Sequence, residues 1–425
     1  MDRRGFLTAA GTALVTLRND GLARVQAAGQ AVAGRDVEAI ARDEDFWFAV
    51  KHAFTIDRNH INLNNGSVSP APRVVQEAMQ NYLTVMNMSP SLYVDEFLEP
   101  HKEGIRTRLA GLFGCDAEEL ALTRNTSESM EIVQFGLNLQ AGDEVLTTTQ
   151  DYPRMLTTWR QRERRDGIVL KTFPFSVPPT GWDDLAARFE AAVTPKTKAI
   201  LMCHTTYTTG QIFPVKRICD MARVRGIETI VDGAHGFAHF PFTRDDLGCD
   251  YYGTSLHKWL TAPVGTGFLY VRREKIRGLW PLMSAPESLD DDIRKFEGIG
   301  TNPVANRNAI REAITFHESI GVDRKAARLR YLRDRWARRV AEIPRVTVLT
   351  PLDDHQSCGV AAMSIDGIGA EALTEYLQVH HDIHVRPRVV PDEFSCIRVT
   401  PNVYTTLDDV DSFARAIERV VETGV

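Results

Sequence analysis

The sequence predicts an α/β fold, with a large domain built on a mostly parallel sheet and a smaller C-terminal α+β domain. Three observations carry this. Short apolar runs with little alternation recur through the middle of the chain ("ELALTRN", "DEVLTTT", "IVLKTFPF", "KAILMCHTT", "ETIVDGAH", "CDYYGTS"), as expected of strands buried on both faces. Helical stretches such as "WDDLAARFEAAV" and "PVKRICDMARVRG" lie between them, which is the order of βαβ units. After Thr301 the pattern changes to one or two long Arg-rich helical stretches between Arg307 and Glu342. From Arg345 the chain reads strand, helix, strand, strand, helix.

In chain order, residues 1–35 read as an export signal and linker. Arg3-Arg4 precede Gly5, Phe6 and Leu7 and a mildly apolar run to Leu17, and "VQAAGQ" offers an Ala-x-Ala-like end. This resembles a twin-arginine signal, with a mature start after Ala27 and a periplasmic destination, the cytoplasm being the alternative. Residues 36–70 form an N-terminal segment: an amphipathic helix from Asp36 to Phe54, then the loop "INLNNGSVSPAP". Residues 71–310 are the large domain and 311–425 the small one. "TGFLYVRRE" follows "CDYYGTS" too closely for a helical crossover, so it is expected to run antiparallel.

Composition narrows the function. The 425 residues are 43% hydrophobic and 25% charged, with a net charge of -6, as in a soluble globular protein and unlike a nucleic-acid binder. No later run has the length of apolar residues that a membrane helix needs. The six cysteines are scattered, with no CxxC pair, and so present neither a zinc spacing nor a disulfide framework.

Polar residues cluster where strands are expected to end, the usual ligand crevice of a parallel sheet. "IVDGAH" presents Asp232 and His235; "GTSLHK" presents Ser255, His257 and Lys258; "TRNTSES" puts Thr126 and Ser127 at a helix start. A buried lysine with a lowered pKa forms a Schiff base with a carbonyl. Pyridoxal phosphate needs such a lysine, an acid for its ring nitrogen and donors for its phosphate. Lys258 supplies the amine and Asp232 the carboxylate. His235 can donate to the ring hydroxyl. Thr126, Ser127, Ser255 and His257 can hold the phosphate at a helix N-terminus. Singly, each residue also reads as a cap, a core histidine or an ion-paired acid; together they point to this cofactor.

With "VDGAH" and "SLHKW" as its most specific motifs, the chain from Asn62 to Thr406 resembles the class V aminotransferase family, fold-type I pyridoxal-phosphate enzymes, in the branch of isopenicillin N epimerase and the cysteine desulfurases. The resemblance implies a sheet of the seven-stranded type. It also implies that Tyr152, in "TQDYPR", stacks on the cofactor ring and belongs to the catalytic set. Thr301, in "GIGTNP", matches a residue that reaches the phosphate of a neighbouring subunit, which implies a homodimer. Arg398, in "CIRVTPN", matches the arginine that grips the substrate carboxylate, and Asn65, in "INLNNGS", is assigned to substrate binding beside it. Arg386 and Arg388 suit an acidic substrate.

The expected reaction is transamination or epimerisation at the α-carbon of an amino acid or amino-acid-derived, possibly peptidic, substrate. Epimerisation needs a second proton donor, for which His204 and Tyr152 are the candidates. The alternatives are a β-elimination or desulfurase-like enzyme and a non-catalytic binding protein of the same fold. "VRPRVVPDEF" carries no cysteine, and Cys396 belongs to a strand, which argues against a desulfurase. No metal is expected. "HHDIH" (His380, His381, His384) reads as a helix-to-strand turn, and "HGFAH" (His235, His239) leaves a strand instead of lying on a helix. "DRKAARLRYLRDRWARR" reads as a solvated helix face.

Overall fold

A computed structural model of the chain describes residues 20–425. The Arg3-Arg4 motif lies outside the described residues. The central sheet has seven strands: β2 (Leu120–Thr123), β3 (Glu144–Thr148), β4 (Val169–Phe173), β5 (Thr197–Cys203), β6 (Glu228–Asp232), β7 (Tyr251–Ser255) and β8 (Gly267–Val271), in the spatial order β2-β8-β7-β6-β5-β3-β4. All are parallel except β8, which runs antiparallel to both β7 and β2, as its short connection requires. The helices Thr126–Gly136, Pro153–Asp166, Trp182–Ala192 and Val215–Val224 are crossovers. Their apolar faces and the continuous apolar runs of β5 to β7 build the core on both sides of the sheet.

The small domain carries a four-stranded antiparallel sheet of β9 (Val346–Val348), β10 (Ala361–Ile365), β12 (Arg386–Val390) and β13 (Phe394–Val399). A further short strand, β11 (Ile383–His384), pairs with β1 (Ile61–Asn62), tying the N-terminal segment to this domain. β10 and the short β11 are two strands more than the sequence pattern indicates.

Two boundaries differ from those read in the sequence. Residues 20–35 belong to the folded body: the helix Asp20–Ala31 buries Val25, and a Cβ on Gly29 would stand 2.6 Å from the Ser319 carbonyl oxygen, so the helices touch closely. A cut after Ala27 would divide that helix. The large-domain core also runs past residue 310, through the helix Ile310–Ile320 to Ala326 and Leu329. Leu332 and Trp336 of the next helix, Val322–Val340, then join the small-domain core.

That helix is not simply a solvated face. Lys325, Arg328 and Arg333 are buried on it. Arg328 donates to the Ala41 carbonyl and Glu44, and Arg333 to Ser357 and Asp354. Long stems let these residues fill core volume while their heads find partners. A similar clamp braces β2: fully buried Arg106 donates to the Leu120 carbonyl, Glu297 and Glu103. Arg106→Ala takes from the nearly buried Glu297 its only fully buried counter-charge, leaving it the part-exposed Lys102 at 3.0 Å, so a loss of up to about 3–5 kcal/mol in unfolding free energy is expected from urea titration. A loss under about 1 kcal/mol would assign the clamp no more weight than a surface pair.

Candidate active site

Residues from five strand-end loops of the parallel sheet line one cavity of about 230 Å³. β2 leads to Thr126 and Ser127, β3 to Tyr152, β5 to Cys203, Thr205 and Tyr207, β6 to Asp232 and His235, and β7 to Ser255, His257 and Lys258. Arg388 and Arg398 close it from the small domain, and Gly66 and Ser67 from the N-terminal loop. The turn after β6 needs its glycines. A Cβ on Gly233 would lie 2.0 Å from the Tyr252 ring, and one on Gly236 would lie 2.4 Å from His204 Nδ1. Only bare backbone lets the chain fold back and aim Asp232 and His235 at the cavity.

Lys258 is half-buried, with a single hydrogen-bond contact, His235 Nε2 at 3.3 Å. Burial lowers its pKa, partly offset by the Asp232 charge. Asp232 accepts from the Ala234 amide at 3.0 Å, and burial raises its pKa. An amine biased towards its free form and a carboxylate without a cationic hydrogen-bond partner thus face one cavity.

At the opposite end lies an anion cradle. The helix Thr126–Gly136 begins here, capped by Asn125, which accepts from the Glu128 amide. Ser255 Oγ is 2.8 Å from Thr126 Oγ1 and accepts from the Thr126 amide at 2.9 Å. His257 Nδ1 is buried without a partner. An orphaned ring nitrogen, two hydroxyls and a first-turn amide are the donor set a phosphate needs. With Lys258 and Asp232, the cavity therefore fits pyridoxal phosphate.

The third feature is an unpaired cation. Arg398 is 1% exposed. Its Nη1 donates to the Tyr207 carbonyl at 3.0 Å, and its Nη2 to Asn64 Oδ1 at 2.9 Å and Ser67 Oγ at 2.8 Å. Its Nε is buried without a partner. Burial first, then the neighbouring Arg388 charge, push the guanidinium's pKa down. Among the described residues no carboxylate pairs with either arginine. Since a guanidinium stays protonated in proteins, this is a destabilised cation that a bound anion would relieve.

Most residues expected from the sequence meet in this cavity, and four do not. Asn65 does not line it: its amide donates to the Asn62 and Thr400 carbonyls and its oxygen accepts from Tyr404, so it braces the loop that presents Gly66 and Ser67. Arg386 is exposed at the start of β12, outside the cavity, whereas Arg388 lines it and lies 5.4 Å over the Tyr207 ring. Thr301 is also exposed and away from the cavity. His204 is no proton donor here. It packs among Phe240, Phe242 and Tyr252, and burial pushes its pKa down to about 3. Tyr152 stands half-exposed at the cavity wall, with Tyr207 edge-on at 5.3 Å. Sequence reasoning missed Tyr207 and Cys203. Cys203 Sγ donates to buried Asp151 at 3.0 Å, and burial raises its pKa well above the usual thiol value.

Comparison with known proteins gives a consistent picture. The sequence profile of the family Aminotransferase class-V matches residues 61–413. The isopenicillin N epimerase of Streptomyces clavuligerus is 31% identical over 391 residues, covering 88% of this chain and 98% of that protein. A probable cysteine desulfurase of Halobacterium salinarum is 26% identical over 408 residues, covering 90% of this chain and 96% of that protein. Among solved structures, a variant of the lyase C-DES with glycine covalently linked to its PLP cofactor superposes with a TM-score of 0.76 at 22% identity, covering 87% of this chain and 99% of that one.

Proposed function

From the premise that the chain belongs to the class-V aminotransferase family, we propose an aminotransferase- or epimerase-type enzyme acting at the α-carbon of an acidic or peptide-like amino-acid substrate. Pyridoxal phosphate, when bound, draws electrons from the substrate's α-carbon. Thr126, Ser127, Ser255 and His257 would hold its phosphate, Asp232 its ring nitrogen and Lys258 its carbonyl carbon. Tyr152 would cover the ring. Lys258 then carries the proton at the α-carbon, and for epimerisation Tyr152 is the candidate donor for the second face. Thr301, exposed and away from its own cavity, suits a role towards a second subunit.

The observation that carries the substrate reading is Arg398, a buried guanidinium with a free Nε in the same cavity as Lys258 and Asp232. An α-carboxylate supplies the missing counter-charge. Arg388 beside it offers a second cation for an acidic side chain. A desulfurase has less support. Cys396 is buried in β13, and Cys203 is held as a thiol by its bond to Asp151. Neither has the mobility or thiolate character that sulfur transfer needs.

Arg398→Lys keeps the charge and loses the planar fork. Losing one charge-assisted hydrogen bond costs about 1.5–3 kcal/mol, so KM should rise roughly 10- to 100-fold for every substrate with a free α-carboxylate. Arg388→Ala should weaken glutamate, aspartate and a γ-glutamyl peptide while leaving alanine alone. Identical substrate rankings in wild type and Arg388→Ala would remove the acidic-substrate reading. Scoring the same panel for keto acid, inverted isomer, ammonia and sulfide separates transamination and epimerisation from elimination.

A further inference from the structure

We propose that Trp259 is a positioning residue: its indole N–H fixes which nitrogen of His235 carries the proton, and so keeps the Lys258 amine in its nucleophilic, uncharged form. The tautomer assignment stands on geometry alone; its functional meaning rests on Lys258 being the residue that captures the cofactor.

An indole N–H can only donate. Trp259 Nε1 lies 3.3 Å from His235 Nδ1, so Nδ1 must present its lone pair. The neutral imidazole then carries its hydrogen on Nε2, which faces Lys258 Nζ at 3.3 Å. His235 is kept neutral by burial and by the positive charges of Arg398 and Arg388. An Nε2–H can donate to the lone pair of a free amine but not to an ammonium. The hydrogen bond therefore exists only with uncharged Lys258, the form that attacks a carbonyl.

The indole is held for this task from two sides. Its ring stacks on His239, centroids 3.7 Å apart and planes within 3°. His239 is itself fixed at both nitrogens: Nδ1 donates to the His235 carbonyl at 2.8 Å, and Nε2 accepts from the Gly359 amide at 2.9 Å. Buried Lys325 donates to the Trp259 carbonyl. The charged and titratable groups facing Lys258 and His235 are Asp232 on β6, Cys203 on β5, Arg388 on β12, Arg398 on β13, His239, and His257 next to Lys258. None offers His235 Nδ1 an alternative hydrogen-bond donor.

The test is the rate at which unloaded protein captures pyridoxal phosphate, followed by absorbance across a pH series. Trp259→Phe keeps a packed ring and removes the N–H. His235 can then turn a lone pair towards Lys258 and favour the ammonium. The inflection of the pH profile should move up, and capture at neutral pH should slow about 2- to 10-fold. In a His235→Gln background, where the amide can donate without help from Trp259, Trp259→Phe should change neither. An equal shift in both backgrounds, or none with His235 present, overturns the proposal. A measurement on the unmutated protein covers the case of misfolding. With ¹⁵N-labelled histidine, the His235 signal, identified by its loss in His235→Gln, should show Nε2 protonated; Nδ1 protonated overturns the proposal. If Lys258→Ala still captured the cofactor covalently, the functional reading would fall while the tautomer result stood.

Discussion

Lys258→Ala is expected to leave a folded protein that takes up no covalently attached cofactor and shows no measurable turnover. Two functions disappear with one side chain. On the proposed reading, the primary amine that would bond the cofactor carbonyl is lost, and so is the base that would carry the α-proton, worth about 10²–10⁴-fold alone. No other lysine lines the cavity. Lys325 is buried nearby, but it is committed to the Trp259 carbonyl. The fold should survive, because Lys258 has only the His235 contact to lose and its amine is better removed than left buried. Borohydride reduction of the loaded wild type followed by peptide mapping checks the assignment. A pyridoxyl label on a different lysine would reject it.

The parts of this site that were legible in the sequence sit next to strongly patterned strands. "IVDGAH" and "GTSLHK" end apolar runs, so Asp232, His235, Ser255, His257 and Lys258 could be assigned to one edge of the sheet before any coordinates. The antiparallel β8 was legible because a short connection cannot cross over. Tyr207 and Cys203 were not. Cys203 ends β5 and Tyr207 follows it, but nothing in "MCHTTYTTG" distinguishes cavity residues from His204, which the Gly236 turn walls off among aromatics. β10 escaped notice because "AAMSI" is rich in small residues and lacks the β-branched signature; its place comes from pairing with β9 and β13. The arginines of Val322–Val340 read as solvent-facing because charge is normally exposed. Their partners, Glu44 and Asp354, come from distant segments that no local pattern reveals.

Asp232→Ala should separate cofactor capture from catalysis. Capture depends on the Lys258 amine and the anion cradle, neither of which contains Asp232. Turnover depends on keeping the cofactor's ring nitrogen protonated, so that the ring can accept electron density from the substrate. Asp232 is suited to this by its surroundings. It is buried at the end of β6, it accepts one backbone amide, and burial raises its pKa. A cation placed against it favours the ionised carboxylate, reversing that shift, and the resulting pair holds the ring proton without help from solvent. Removing one such preorganised electrostatic partner costs about 10²–10³-fold in kcat. Asp232→Asn preserves the shape and removes the charge, so its kcat should fall with that of Asp232→Ala while its capture rate stays near wild type. If Asp232→Asn kept wild-type kcat, the carboxylate would be a packing element and the ring proton would need another holder; Asp151, buried two strands over and hydrogen-bonded to Cys203, is too occupied to be that holder.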